Sequence, residues 1–142
     1  MYKPPFLFRG PTRFPHFQAS IAKLEEESKD QDGLNFTIAI NYGSRDEICR
    51  AVKKIVAEGI APEDITEQVI SDHLDTAGIP DPDLMIRTSG ELRLSNFLLW
   101  QMAYTEFYFT DVAWPDFNKA ELIKAIEKYN QRDRRYGGVK EE

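Results

Sequence analysis

The sequence predicts an α/β domain with a mainly parallel β-sheet flanked by helices, and three observations lead there. Short β-rich runs at residues 35–40, 84–86 and 107–109 alternate with longer segments of helical apolar spacing. The run at 35–40, NFTIAI, is almost wholly apolar, as a strand covered on both faces is. The 142 residues, 42% hydrophobic and 30% charged, suit one soluble domain with no internal repeat, linker or low-complexity tract. Residues 1–142 are therefore expected to form a single domain.

The elements follow in order. Residues 1–15 are rich in Pro, Phe and Arg and read poorly as regular structure, with Phe6-Leu7-Phe8 a candidate short strand. The spacing Phe17, Ile21, Leu24 predicts a helix whose outer side carries Glu25, Glu26, Glu27 and Lys29, ended by Asp32-Gly33. After the strand at 35–40, Gly43 turns the chain, and Ser44 with Glu47 makes a capping-box pattern. The helix so begun places Ile48, Ala51, Val52, Ile55 and Val56 on one face, and Gly59 stops it. Pro62 fits the first turn of another helix, with Ile65, Val69 and Leu74 inward and an end near Gly78. The strand at 84–86 comes next, then an apolar helix opened by Ser95-Asn96, then the strand at 107–109. Asn118 with Glu121 caps a last helix, Phe117 can staple onto Leu122, and Leu122, Ile126 and Tyr129 form its buried stripe. Three or four strands are few for an open sheet with helices on both faces. The chain reads as part of a larger fold.

Composition excludes several functions. A net charge of −6 argues against a general nucleic-acid surface, so arginines here act locally on a small anion. No apolar run is long enough to span a bilayer, and Met1-Tyr2-Lys3-Pro4-Pro5 is no signal peptide. Cys49 is the lone cysteine and has no disulfide partner within the chain, which agrees with a cytoplasmic location.

The most informative stretch is 83–101, DLMIRTSGELRLSNFLLWQ. An apolar strand stops at Arg87, and a loop with Ser89, Gly90, Glu91 and Arg93 leads to the expected helix start at Ser95. Free N–H groups and the macrodipole make a helix start anion-seeking, and guanidinium forks match phosphate oxygens. Salt-bridging to Glu91 and Asp83 is the plain alternative for Arg87 and Arg93. Two arginines flanking a Ser-Gly turn at the carboxyl end of a strand favour a phosphate or diphosphate site. Ser95 is expected to cap the helix and face the same anion, while Ser89 and Gly90 serve the turn. Neither serine resembles a nucleophile, and His16 and His73 sit in no triad pattern.

Glu106 is either an ion-pair partner or a Mg²⁺ ligand. The sequence alone favours the pair, whereas a diphosphate beside it would bring Mg²⁺. Asp111 and Asp116 flank Trp114-Pro115 as turn residues. The basic segment from Arg132 to Gly138 is either a solvated end or a mobile arm that folds over a phosphate.

Together these residues resemble the cis-prenyltransferases, most of all the bacterial undecaprenyl diphosphate synthases. The resemblance runs from about residue 35 to residue 139. It rests on NYGSRDEI at 41–48, TAGIPDPDLMIRTSGELRLSNFLLWQ at 76–101, TEFYFTDVAWPDF at 105–117 and RRYGG at 134–138. It implies a homodimeric α/β enzyme that adds isopentenyl diphosphate units, in Z configuration, to an allylic diphosphate such as farnesyl diphosphate. Mg²⁺ is implied as cofactor, and a lipid product allows peripheral membrane contact. By the same resemblance Arg87, Arg93 and Ser95 contact the isopentenyl diphosphate group. Glu106 helps hold Mg²⁺ across the dimer, and Arg135 and Gly137 belong to a terminal Arg-x-Gly element that closes over the partner's diphosphate. The family's Asp-Gly-Asn-Gly-Arg-Trp-Ala block, which carries its principal metal-binding aspartate, has no counterpart in these 142 residues. The chain is accordingly expected to be the C-terminal part of such an enzyme, inactive by itself. The alternative is a non-catalytic partner subunit that donates its Arg-x-Gly tail to a heteromeric enzyme.

Overall fold

The computed structural model describes the backbone of residues 6–8 and 15–132 and the side chains of residues 19–132. The fold is α/β, with parallel strand pairs and, among the described residues, four α-helices. Two compact units make it up. One comprises Met1–Pro80 with Asn96–Leu98, the other Asp81–Ser95 with Leu99–Glu142.

In the first unit β1 (Phe6–Phe8) and β2 (Ile38–Ile40) pair in parallel, Phe6 opposite Ile38 and Phe8 opposite Ile40. The crossover between them contains α1 (Pro15–Ser28), the unit that a parallel pair requires. The strand is shorter than the sequence predicts and is not covered on both faces. Its three residues are half-buried, and Leu34 and Phe36 before it are 91% and 66% exposed. Among the described residues the parallel register covers three residues of each strand.

α2 (Ser44–Ala57) buries one line of side chains, Ser44, Glu47, Ala51 and Ile55, at the three-to-four-residue spacing of a helix face. Val52 and Val56, expected inside, face out. The predicted capping box does not form. Gly43 is the N-cap without a side-chain cap bond, and Ser44 lies inside the helix, fully buried. The N-terminus is capped from a distance instead. Ser44 N donates to the Asn96 carbonyl at 2.8 Å, and Arg45 N to Asn96 Oδ1 at 3.0 Å. A Cβ at Gly43 would stand 2.9 Å from Asn96 Nδ2, so glycine admits that cap. Gly59, with φ +72, ends the helix as its sequence position predicts.

The helix predicted from Pro62 divides in two. Pro62–Asp64 forms one 3-10 turn, Ile65 and Thr66 are extended, and α3 (Glu67–His73) starts afresh. Thr66 competes as a cap: its hydroxyl accepts from Val69 N at 3.2 Å. Leu74, the residue after α3, joins Ala51 and Ile55 in the core, while Ile65 is exposed. Polar bonds fasten α3 to α2. Arg50 grips Asp75 with two N–H groups at 2.8 and 2.6 Å and takes Asp46 at 2.8 Å. Buried Glu47 accepts from Asp75 N at 2.9 Å and from the Tyr42 hydroxyl. Burial first, and the bond to Glu47 second, push the Tyr42 phenol above its usual value.

In the second unit β3 (Leu84–Arg87) and β4 (Glu106–Phe109) pair in parallel, Leu84 opposite Glu106 and Arg87 opposite Phe109. α4 (Lys119–Asn130) packs on β4. Asn118 is its N-cap, as predicted, with Oδ1 accepting from Ala120 N at 2.9 Å. Of the predicted stripe, Tyr129 is turned inward and Leu122 and Ile126 are not. Ala125 is fully buried with Glu121 and Tyr129 half-buried one turn away, whereas Leu122 and Ile126 are 42% and 43% exposed. Phe117 stacks on Trp114, with ring centroids 6.1 Å apart. Among the described residues no helix is long and apolar enough to cross a membrane.

Candidate functional site

Leu84, Met85 and Ile86 hold β3 in its pair, which delivers Arg87 to the carboxyl end of the strand. The turn that follows is fixed by the chain leaving β4. Thr110 N donates to Arg87 O at 2.9 Å, Ser89 N to Val112 O at 2.9 Å, and Gly90 N to Thr110 O at 3.0 Å. Ser89 and Gly90 both take left-handed backbone, φ +64 and +68. A Cβ at Gly90 would lie 3.0 Å from Asp111 Oδ1, so this position needs glycine for both space and φ. These backbone bonds hold the turn beside Arg87.

Arg87 and Ser95 are brought together. Arg87 Nη2 approaches Ser95 Oγ at 3.5 Å, the outer edge of hydrogen-bonding distance. Arg93 is ion-paired with Glu91, so the plain alternative is realised for this arginine. Its side chain is 66% exposed and that of Glu91 39%. Such exposed pairs are worth about 0–1 kcal/mol, so this one is readily exchangeable.

The helix predicted to start at Ser95 is absent: the described residues 91–105 contain turns and no α-helix. Ser95, Asn96 and Leu98 have φ of +51, +61 and +45, which no right-handed helix accommodates. Ser95 therefore caps nothing here. The physical reason is the use made of Asn96, whose carbonyl and side chain are committed to the start of α2. The segment therefore presents its guanidinium groups and the Ser95 hydroxyl without a helix dipole. Nothing in the local pattern of SNFLLWQ announces that remote cap.

Glu106 stands at the other end of the strand pair. It opposes Leu84, three residues before Arg87, and roughly 3.3 Å per residue separates the two levels by about 10 Å. Its carboxylate is ion-paired with Arg132, whose second η-nitrogen donates to Phe107 O at 2.8 Å. One carboxylate already paired with an arginine does not make a metal site. Among the described residues no group of three or more His, Cys, Asp or Glu side chains is placed to hold a metal ion. Arg135 and Gly137 lie outside the described residues.

Comparison with known proteins interprets this strand, basic turn and hydroxyl. The family described as "Putative undecaprenyl diphosphate synthase" matches residues 12–137. The chain belongs to the cis-prenyltransferase family. An isoprenyl transferase of Fusobacterium nucleatum is 59% identical over 123 residues, covering 87% of this chain and 52% of that protein. An isoprenyl transferase of Geobacillus kaustophilus is 56% identical, over 87% of this chain and 50% of the relative. Lavandulyl diphosphate synthase from Lavandula x intermedia, solved with dimethylallyl diphosphate, superposes with a TM-score of 0.82 at 44% identity. That match covers 88% of this chain and 56% of the plant enzyme. A probable undecaprenyl diphosphate synthase from Campylobacter jejuni gives a TM-score of 0.81 at 34% identity, over 93% of this chain and 61% of that one. The chain spans about half the length of the curated relatives it matches. The prenyltransferase relationship read from the motifs is therefore established.

Proposed function

We propose that this chain is the isopentenyl-diphosphate-binding part of a cis-prenyltransferase domain, with Arg87, Arg93 and Ser95 as the contacts to the diphosphate. The observation that carries the reading is Arg87 at the carboxyl end of β3, with the Ser95 hydroxyl beside it and the Ser89-Gly90 turn tied to the chain leaving β4. Arg93 supplies a second guanidinium on an exposed, exchangeable ion pair.

The chemistry requires such a berth. Condensing isopentenyl diphosphate with an allylic diphosphate such as farnesyl diphosphate brings two polyanions together. Their repulsion must be neutralised and their reacting ends held in line. Arg87 and Arg93 bind and orient one of them, and Ser95 donates to a phosphate oxygen. No protein nucleophile is needed: the isopentenyl double bond attacks the allylic carbon as diphosphate leaves it, and the isopentenyl unit then loses a proton to a diphosphate oxygen or water, which restores its double bond. Mg²⁺, if bound, would supply positive charge to the departing diphosphate, with Glu106 a candidate protein ligand once released from Arg132. The residues described here do not by themselves complete that metal site. A homodimer in the cytoplasm, with Arg135 and Gly137 closing over a partner's diphosphate, is part of the same proposal. So is peripheral membrane contact through the lipid product.

The isolated 142-residue chain, containing no Asp-Gly-Asn-Gly-Arg-Trp-Ala block, is expected to bind isopentenyl diphosphate without condensing it. A partner-subunit role in a heteromeric enzyme is the second reading, favoured by the retained RRYGG at 134–138 and opposed by the intact RTSGE at 87–91. Calorimetry decides the binding question. Arg87→Ala and Arg93→Ala should each weaken isopentenyl diphosphate by about 1.5–3 kcal/mol, the worth of a charge-assisted contact. Unchanged affinity in both variants would move the site elsewhere.

A further inference from the structure

His73 ends α3 where that helix meets the C-terminal end of α2, and both of its ring nitrogens face acceptors. Nδ1 lies 2.6 Å from the Val69 carbonyl oxygen, and Nε2 lies 3.0 Å from Oε2 of Glu58, the residue that caps α2. Neither a carbonyl nor a carboxylate can donate a proton. A neutral imidazole carries one N–H, so either neutral tautomer aims a nitrogen lone pair at an oxygen lone pair. Only the imidazolium makes both bonds. The His73 side chain is 14% exposed, whereas Glu58 is 59% exposed, so the covered side of the ring is the one that faces the Val69 carbonyl.

The charges around this corner come from both helices. From α2, Glu58 faces the ring, and Lys54 donates through Nζ to the His73 carbonyl at 2.9 Å. Arg50 of α2 is occupied by Asp46 and Asp75. On α3 itself, Asp72 accepts from Gln68 at 2.9 Å, and Glu67 lies in the first turn. The bond to Glu58, followed by that to Val69, raises the imidazole above its ordinary value, against the opposing effects of desolvation and Lys54.

We propose that His73 is a proton-operated clasp, which as imidazolium fastens the end of α3 to the end of α2 and on deprotonation releases that corner. Because the folded value is raised, the stability it contributes is fully present below about pH 6.5, the ordinary value. It is lost as pH rises through the folded value. The Arg50–Asp75 and Lys54–His73 carbonyl bonds do not depend on this proton, so release loosens one corner and leaves the helix pair together.

The test is an NMR titration of the histidine ring protons in the whole chain, which has two histidines, His16 and His73. Loss of one resonance in His73→Gln, or of the other in His16→Gln, assigns them if either variant fails to fold. His73 should titrate above 6.5, and Glu58→Gln, at a largely exposed position, should lower its titration point. Amide exchange at Leu74, measured relative to its intrinsic rate, should quicken in the wild type between pH 6 and pH 8.5 and lose that dependence in Glu58→Gln. His73 titrating at or below 6.5, or unmoved by Glu58→Gln, overturns the clasp.

Discussion

Replacing Glu47 by glutamine tests the polar junction that joins α2 to the residues after α3. Glu47 is fully buried, with Oε1 accepting from Asp75 N at 2.9 Å and Oε2 from the Tyr42 hydroxyl. Glutamine keeps the shape but offers one carbonyl and one NH₂. With the carbonyl toward Asp75, the amide nitrogen faces the phenol oxygen, and the Tyr42 proton must find another acceptor. With the amide reversed, two donors meet at Asp75. Bonds to a charged group are worth about 1.5–3 kcal/mol against about 0.5–1.5 for neutral ones, and relief of a buried charge offsets part of the loss. A net cost of about 1–3 kcal/mol follows, which for a chain of this size lowers the melting midpoint by roughly 3–10 °C. Urea unfolding at pH 7 measures it as a fall in midpoint at constant slope. Tyr42→Phe should be less than additive with Glu47→Gln, because both remove the same bond. An unchanged midpoint in Glu47→Gln would refute the assignment of two bonds to this carboxylate.

Two further outcomes are expected. Glu91→Gln should tighten isopentenyl diphosphate by up to about fivefold, since an exposed pair worth at most about 1 kcal/mol no longer holds Arg93; weaker binding by calorimetry would show that Glu91 orients Arg93 and does not compete for it. Tyr42 should stay protonated where ordinary phenols ionise, so the stability it contributes holds below about pH 10 and is lost as pH rises through its higher folded value. Absorbance titration at alkaline pH, compared with Tyr42→Phe, checks this; one extra phenolate appearing near pH 10 in the wild type would contradict it.

Local chemistry made much of the fold legible. The Asn118 cap, the stop at Gly59 and the apolar strands before Arg87 and Thr110 depend on neighbours in sequence, and each is found where its residues predict. Failures came where a distant partner won. Ser44 and Glu47 have capping-box spacing, but Glu47 is drawn inward by Tyr42 and Asp75. SNFLLWQ has the apolar content of a helix, but Asn96 is committed to α2 across about fifty residues of sequence, and three left-handed residues result. The spacing of Leu122, Ile126 and Tyr129 suggests one face of α4, whereas burial falls on Ala125, with Glu121 and Tyr129 half-buried.

The site divides in the same way. Arg87 and Ser95 are neighbours because a strand end and its turn are local, so the sequence placed them together correctly. Glu106 belongs to the next motif block and sits at the opposite end of a parallel pair, a consequence of register that spacing alone does not reveal. Its partner Arg132 carried only the signal of a basic tail. His73 looked incidental because its partner Glu58 lies on another helix.

The most direct measurement is a crystal of this chain soaked with isopentenyl diphosphate. Diphosphate density against the Arg87 guanidinium and Ser95 Oγ, with Arg93 swung from Glu91 to a phosphate oxygen, is the predicted result. Diphosphate bound elsewhere, with Arg93 still on Glu91 and Arg87 making no phosphate contact, would contradict it.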